Sequence, residues 1–458
     1  MKSTRNQNKQ SKTSSRRNPL PLMEGMEGRR LFSTYVVTTT ADSGGGSLRD
    51  AIKQANSHAG HDVINFKIGT GLKTIQTVTG LPYISGSVTI DATTQPGYSG
   101  KPLVELRGDR SGGYGLNVGG GNSTIKGLII NRYNSGILIV KNGGNVVQNC
   151  YIGTGTSGDT DQGNYDKGII VQTANNLIGG TGANQGNVIS GNGTEGVQFY
   201  LYKSTNNKLQ GNKIGTNAGG TFAIPNGKSG VAVHGAPNNL VGGTTPSARN
   251  IISGNGTDGI VINQAGATGT VIQGNYIGTD VTGTKRVANL HYGVETSQPY
   301  TVVGGDTAAA RNIVSGNGYT GVVLWLASGS NNIVQNNYIG TDVTGTRDVG
   351  NYWRGVDVSN GSANNLVKDN LISGNDIDGV MLYQGGNNTV QSNTIGFNAS
   401  RTAALPNFGN GIRFTNAASA KAIGNFIGHN GGYGLFRTGG GAITLSANVL
   451  INDAIFNL

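Results

Sequence analysis

Two carboxylates and one guanidinium recur at the same place in a repeated five-residue run. Glu295 stands third in Gly-Val-Glu-Thr-Ser, Asp357 in Gly-Val-Asp-Val-Ser and Arg413 in Gly-Ile-Arg-Phe-Thr. The run is a glycine followed by apolar, variable, apolar, variable, and it begins at Gly136, Gly168, Gly196, Gly230, Gly259, Gly293, Gly321, Gly355, Gly379, Gly411 and Gly434. In an extended strand successive side chains point to opposite faces, so if the second and fourth positions face a core the third and fifth face out. The fifth positions include Tyr200, His234, Trp325 and Tyr383, with Asn263, Ser297, Ser359 and Thr415 between and beyond them. Stacked strands would turn these into two adjacent columns of aromatic, acidic and basic groups, a surface along which a sugar polymer can lie. The alternative is that solvent-facing positions simply vary.

The chemistry open to the column depends on spacing. Glu295 and Asp357 are two repeats apart, about 9.6 Å at the usual strand separation, at the upper edge of the roughly 6.5–9.5 Å at which inverting glycosidases hold their acid and base. Nothing in the sequence around either residue marks a raised pKa. Metal chemistry has a weaker basis. Asp159-Thr160-Asp161-Gln162-Gly163-Asn164-Tyr165-Asp166 loosely follows a calcium loop, with Asp159, Asp161 and Asp166 as ligands, but it lacks the closing Glu. The expectation is therefore no cofactor, with calcium as the one alternative. The five histidines are scattered and do not make a zinc set. The single Cys150 falls where later repeats have Asn212 and Asn275, which predicts a small buried side chain and not a reactive thiol.

The elements that position these residues follow from the repeat. An Ile-Gly pair recurs at Ile152, Ile214, Ile277, Ile339 and Ile395, in steps of 62, 63, 62 and 56 residues. Each such unit holds two of the glycine runs, and each run is followed by two further short apolar runs, such as Leu240–Val241 and Ile251–Ile252 after Val231–Val233. Period-two runs this short are strands. Three strands per turn, stacked turn upon turn, predict an all-β fold: a right-handed parallel β-helix, in which a 35% hydrophobic composition suffices because every turn buries its inner face against its neighbours. An asparagine precedes the third strand at Asn187, Asn212, Asn250, Asn275, Asn312, Asn337, Asn370, Asn393 and Asn425. Stacked at one corner, these amides can pass hydrogen bonds along the coil. Every second turn is extended after Ile-Gly, at 155–167, 217–229, 280–292, 342–354 and 398–410, which predicts a wall of loops along one edge. Tyr165, Phe222, Tyr292, Tyr352, Trp353 and Phe408 on these loops are expected to pack them down, with ligand contact as the alternative.

The net charge of +11 is concentrated at the start of the chain, where residues 1–35 carry eight Lys and Arg against two Glu. The rest has no clustered basic face, which argues against nucleic acid as a partner. No apolar run approaches the ~20 residues of a membrane span. Residues 1–34 read as a disordered basic tail, 35–114 as an N-terminal cap with the first irregular turns, 115–437 as regular turns and 438–458 as the end of the coil. Within the cap, Ser47 precedes an amphipathic run with Leu48, Ala51, Ile52 and Ala55 on one face, a helix suited to covering the open end.

Three stretches carry a resemblance. The run Asp42-Ser43-Gly44-Gly45-Gly46-Ser47-Leu48-Arg49-Asp50-Ala51-Ile52, then Val88-Thr89-Ile90-Asp91 with Thr94-Gln95-Pro96-Gly97-Tyr98, and the repeated Ile-Gly-Thr and Ser-Gly-Asn turns resemble parallel-β-helix-repeat proteins with a CSLREAI-type N-terminal region. Met26-Glu27-Gly28-Arg29-Arg30-Leu31-Phe32-Ser33 resembles the LEPR-XLL motif of exported bacterial repeat proteins, with Gly28 for its proline and Phe32 for its second leucine. The resemblance implies the β-helix and an extracellular or cell-surface place. For function it implies a range, from adhesins to polysaccharide lyases, hydrolases and epimerases. The polygalacturonase-like Asn-Thr-Asp, Gly-His-Gly and Arg-Ile-Lys set and a pectate-lyase-like cluster of calcium-binding Asp are absent. The expectation is a protein that binds a polysaccharide or cell-surface partner without chemistry. The alternative is a carbohydrate-active enzyme using Glu295, Asp357 and Arg413.

Overall fold

The computed structural model describes residues 32–109 and 112–456, so the basic tail and most of the LEPR-XLL-like stretch lie outside the described residues. Among the described residues, three parallel sheets of 15, 14 and 13 strands run the length of the coil. Each regular turn contributes one strand to each sheet in a fixed order: Val231–His234 to the third, Leu240–Gly242 to the first, Ile251–Ile252 to the second, then Ile260–Asn263 to the third again. Registers hold position by position, as Val231 pairs with Ile260 and Val233 with Ile262. The side chains that face inward at these positions form one continuous core from Val37 to Leu435, and most of them are wholly buried.

The corners explain how so little apolar sequence maintains a coil. Between the first and second sheets many turns pass through a residue with positive φ, as at Gly211, Gly274, Asn336, Asp369 and Gly424, whereas Arg249 and Arg311 make the corner at φ −61° and −59°; in each case the next residue is the inward asparagine. Glycine and asparagine tolerate this left-handed conformation at least cost. The side chain of Asn275 donates to Asn312 Oδ1 at 3.1 Å and to the carbonyls of Val241 and Gln273, while Asn250 Nδ2 donates to Asn275 Oδ1 at 2.9 Å. Equivalent bonds connect each successive asparagine from Asn187 to Asn448. Cys150 sits at the foot of this column, fully buried, its amide donating to Asn187 Oδ1; burial pushes its thiol up to about 12, which leaves it inert. A second column, not anticipated, runs down the corner between the second and third sheets from Asn164 through Asn192, Asn226, Asn255, Asn289, Asn317, Asn351, Asn375 and Asn407 to Asn430.

The helix α1, Leu48–Ser57, begins where expected, with the Ser47 hydroxyl accepting from the Asp50 amide. Leu48, Ala51, Ile52 and Ala55 join the coil's own core, so α1 closes the N-terminal end. Arg49 fixes its approach by donating to Asp42 and to the carbonyls of Thr79 and Gly80.

Candidate functional site: a cleft on the third sheet

On the third sheet the alternation predicted from the glycine runs holds. Val322, Leu324, Val356, Val358, Val380 and Leu382 are core residues, whereas the third positions stand on the outer face in strict register. Val261 pairs with Glu295, Glu295 with Val323, Val323 with Asp357, Asp357 with Met381 and Met381 with Arg413. Trp325 pairs with Ser359 and Tyr383 with Thr415 in the adjacent column.

The loops build one bank of a cleft over this face. Each folds back on itself through a single antiparallel bridge, such as Thr279 to Arg286 and Thr341 to Asp348. Each also hydrogen-bonds to the loop two turns away: Ala218 to Gly158, Val281 to Gly220, Val343 to Gly283 and Ala399 to Gly345. The expectation that aromatic side chains pack the loops down is corrected. Tyr165 is 76% exposed and Phe408 66%, and Phe222, Tyr352 and Trp353 are exposed as well. The loops are organised instead by a polar residue at their start. Asp280 Oδ1 accepts from the amides of Thr284 and Lys285, and Asp342 Oδ1 from those of Thr346 and Arg347. That frees the aromatic rings. Arg286 stacks on Tyr352 at 3.4 Å, and His291, Tyr292, Tyr319 and Trp353 form a chain of ring contacts 5.4 to 6.1 Å between centroids along the rim.

Between this rim and the outward columns lies a cleft of about 440 Å³, lined by Tyr292, Tyr319, Val323, Trp325, Trp353, Arg354, Asp357, Ser359, Met381, Tyr383 and Thr415 among others. It gathers Trp325, Asp357 and Tyr383 from the sequence-predicted set. Glu295 and Arg413 adjoin it as the strand partners of Val323 and Met381. Tyr200 and His234 pair with each other four and three turns before Trp325, outside the cleft, and the His234 ring is held by Gln198.

The residue immediately before each glycine makes a third column that sequence alternation missed, because it stands in the corner and not in a strand. Its backbone carbonyls accept from the glycine of the turn before, linking Asp258, Tyr292, Thr320, Arg354, Asp378 and Asn410 into neighbouring turns. Arg354 is the hub. Its Nη1 lies 2.7 Å from Asp357 Oδ2 and its Nε 3.5 Å from Asp378 Oδ2, while Arg413 Nη1 is 3.9 Å from the same Asp378 oxygen. The other Asp378 oxygen accepts from the amide and side chain of Asn410. Asp357 Oδ1, Trp325 Nε1, Arg354 Nε and Asp378 Oδ2 are shielded from solvent and have no hydrogen-bond partner in the protein, although the last two face each other at 3.5 Å. Such groups are normally satisfied by water or a ligand.

The electrostatics also depart from the sequence expectation. Burial raises the Glu295 carboxyl to about 7, with the Asp258 charge adding to the effect. Burial raises Asp357 too, against the lowering pull of Arg354 and Ser359. A raised carboxyl was not expected because only the folded loops exclude water here.

The three carboxylates of the calcium alternative each have partners within the protein. Asp159 accepts from Asn217, Asp161 from the Gly163 amide, and Asp166 pairs with Lys167 and Thr194. Among the described residues no three His, Cys, Asp or Glu side chains converge as a metal site would require.

A sequence model described as the right-handed beta helix region matches residues 226–395 and 300–450, the part of the coil that carries the cleft. The chain is a right-handed parallel β-helix. No curated protein sequence matches it. Solved structures similar to this β-helix include a periplasmic alginate epimerase, AlgG, at 15% identity over 86% of this chain and 78% of that one, with a TM-score of 0.44. The A-module of the mannuronan C-5 epimerase AlgE4 from Azotobacter vinelandii matches at 15% over 93% and 98%, with a TM-score of 0.39. Tailspike protein 3 of bacteriophage CBA120 matches at 12% over 90% of this chain and 59% of that one, with a TM-score of 0.42.

Proposed function

We propose that the protein is an extracellular or cell-surface β-helix that holds a segment of a polysaccharide in the third-sheet cleft. The observation that carries this reading is the composition of the cleft. Aromatic faces from Tyr292, Tyr319, Trp325, Trp353 and Tyr383 surround a small set of fixed polar groups, among them the unpartnered Asp357 Oδ1 and Trp325 Nε1. Flat rings stack on the C–H faces of sugars while fixed acceptors and donors read hydroxyls, the usual division of labour in small-molecule sites. From the strand Val294–Thr296 to Ile412–Thr415 the face spans four strand steps, about 19 Å, long enough for an extended chain. Among the described residues no helix is long and apolar enough to cross a membrane. A glycan array probed with residues 32–458 tests the reading: retained glycans support it, and an array blank for every glycan rejects it.

A catalytic reading has one specific observation in its favour. Glu295, raised to about 7, is suited to donate and accept a proton near neutrality, and Asp357 two strands on is positioned for a complementary role. In that case product release from a retained glycan, lost in Glu295→Gln, replaces simple binding.

A further inference from the structure

Resting on the glycan-binding reading, the charges of the cleft decide which class of glycan fits. Four carboxylates surround it: Asp357 lines it, Glu295 adjoins it through Val323, Asp378 lies beneath Arg354, and Asp258 accepts from the backbone amide of Tyr292. Two guanidiniums oppose them, and both are engaged. Arg354 bridges Asp357 and Asp378, while Arg413 donates to Thr415 and lies over the Phe436 ring with Asp378 at its other side. On the rim Arg286 is stacked on Tyr352 and bonded to the Asn317 carbonyl, and His291 packs against Tyr319. Both cleft guanidiniums are thus drawn toward groups of the protein itself, which competes with their use as bidentate clamps on a substrate carboxylate, the arrangement that favours recognition of an acidic sugar.

The unpartnered atoms point the same way. Asp357 is nine-tenths buried and, ionised, its Oδ1 accepts but cannot donate, while Trp325 Nε1 donates but cannot accept. A hydroxyl can serve either group because it is both donor and acceptor. A uronate carboxylate can serve only the donors, Trp325 Nε1 and the Arg354 Nε that faces Asp378, and it leaves Asp357 Oδ1 unserved while bringing a like charge to enclosed carboxylates, where water screens little.

We infer that the cleft selects neutral, hydroxyl-rich glycan chains and excludes polyuronates. Calorimetric titration at pH 8, above the raised Glu295 carboxyl, and about 150 mM salt, with neutral hexasaccharides of glucan, mannan and xylan type set against hexamers of mannuronate and galacturonate, decides it. The expected result is binding of at least one neutral chain, at least tenfold tighter than either uronate, with added salt strengthening the uronate and leaving the neutral ligand unchanged. Asp357→Asn, checked by its melting curve, should narrow the neutral-to-uronate ratio severalfold. If that variant does not fold, the opposite salt responses of the wild-type protein decide alone. A uronate bound as tightly as the best neutral chain, or bound more weakly as salt rises, overturns the inference while leaving glycan binding intact. Binding of neither class overturns both.

Discussion

Arg354 and Asp357, three residues apart on either side of the turn into one strand, meet at 2.7 Å and fix the floor of the cleft. The same guanidinium reaches the buried Asp378 of the next turn, so one side chain compensates two carboxylates shielded from water. Neither acid could be kept there cheaply without it, since an enclosed charge that loses its partner costs far more than the pair contributes.

Arg354→Met is therefore expected to destabilise the protein by about 3 kcal/mol at pH 8. Removing the positive charge raises the folded-state pKa of Asp357 further, so the loss grows as pH rises and shrinks in acid, where the folded variant takes up a proton at this carboxyl. Urea melts of the variant at pH 5 and pH 8 check this. An equal loss at both values would mean that Arg354 contributes by packing alone.

Glu295 gives a pH dependence of its own. Its folded pKa of about 7 lies above the ordinary carboxyl value of 4.5, so the folded state binds its proton more tightly than the unfolded chain. Stability should fall as pH rises between those two values, by on the order of 2 kcal/mol allowing for partial exposure. Glu295→Gln should remove that slope, matching the wild type in acid and exceeding it above pH 7. A wild-type protein with no loss of stability across this window would contradict the burial of Glu295.

How much of this was readable beforehand depends on where each residue stands. Glu295, Asp357, Trp325 and Tyr383 lie inside strands, where a period of two and the preceding glycine determine which way a side chain points. Arg354, Asp378 and Tyr319 lie in the corner before the glycine, where no periodicity assigns a direction, and their joint role emerges only when three turns are stacked. The signal for Arg354 and Asp378 was present as the residue preceding each glycine run, from Asp258 to Asn410, with Tyr319 one residue further back. The Asn275 column was legible because each of its members directly precedes a short apolar strand, whereas Asn289 and its partners stand four residues before the glycine runs, a constant offset that lies outside the strands where alternation is read.

Asn275 offers a test of the coil apart from the cleft. Asn275→Leu takes the acceptor away from the backbone amide and side chain of Asn250 and one donor each from Asn312 Oδ1 and the carbonyls of Val241 and Gln273, in a wholly buried corner, at an expected cost of about 1 to 3 kcal/mol. The corner between the first and second sheets is remote from the third-sheet face, so ligand affinity of the folded variant should not change. Thermal melting and titration on the same sample separate the two. A neutral effect on stability would show that the neighbouring amides find other partners.

Trp325 and Tyr383 test the cleft itself. They stand in one outward column, two turns apart with Ser359 between, and both line the cleft without joining the core. A sugar chain running along the coil axis can stack on both rings, so each alanine substitution should weaken affinity by about 1 kcal/mol or more, the scale of a specific aromatic contact. Loss of the Trp325 indole also removes the donor at Nε1, which makes it the more damaging of the two if a glycan oxygen accepts from it. Stability should change little in either case, because truncating an outward ring does not open the interior cavity that costs several kcal/mol. Tyr200→Ala, four turns from Trp325 in the same column, is the control: it removes an outward aromatic outside the cleft and should leave affinity unchanged. If Tyr200→Ala weakens binding as much as Trp325→Ala, the glycan runs along the whole sheet and the cleft is only one part of its track; if none of the three changes affinity, the ligand does not lie on this face.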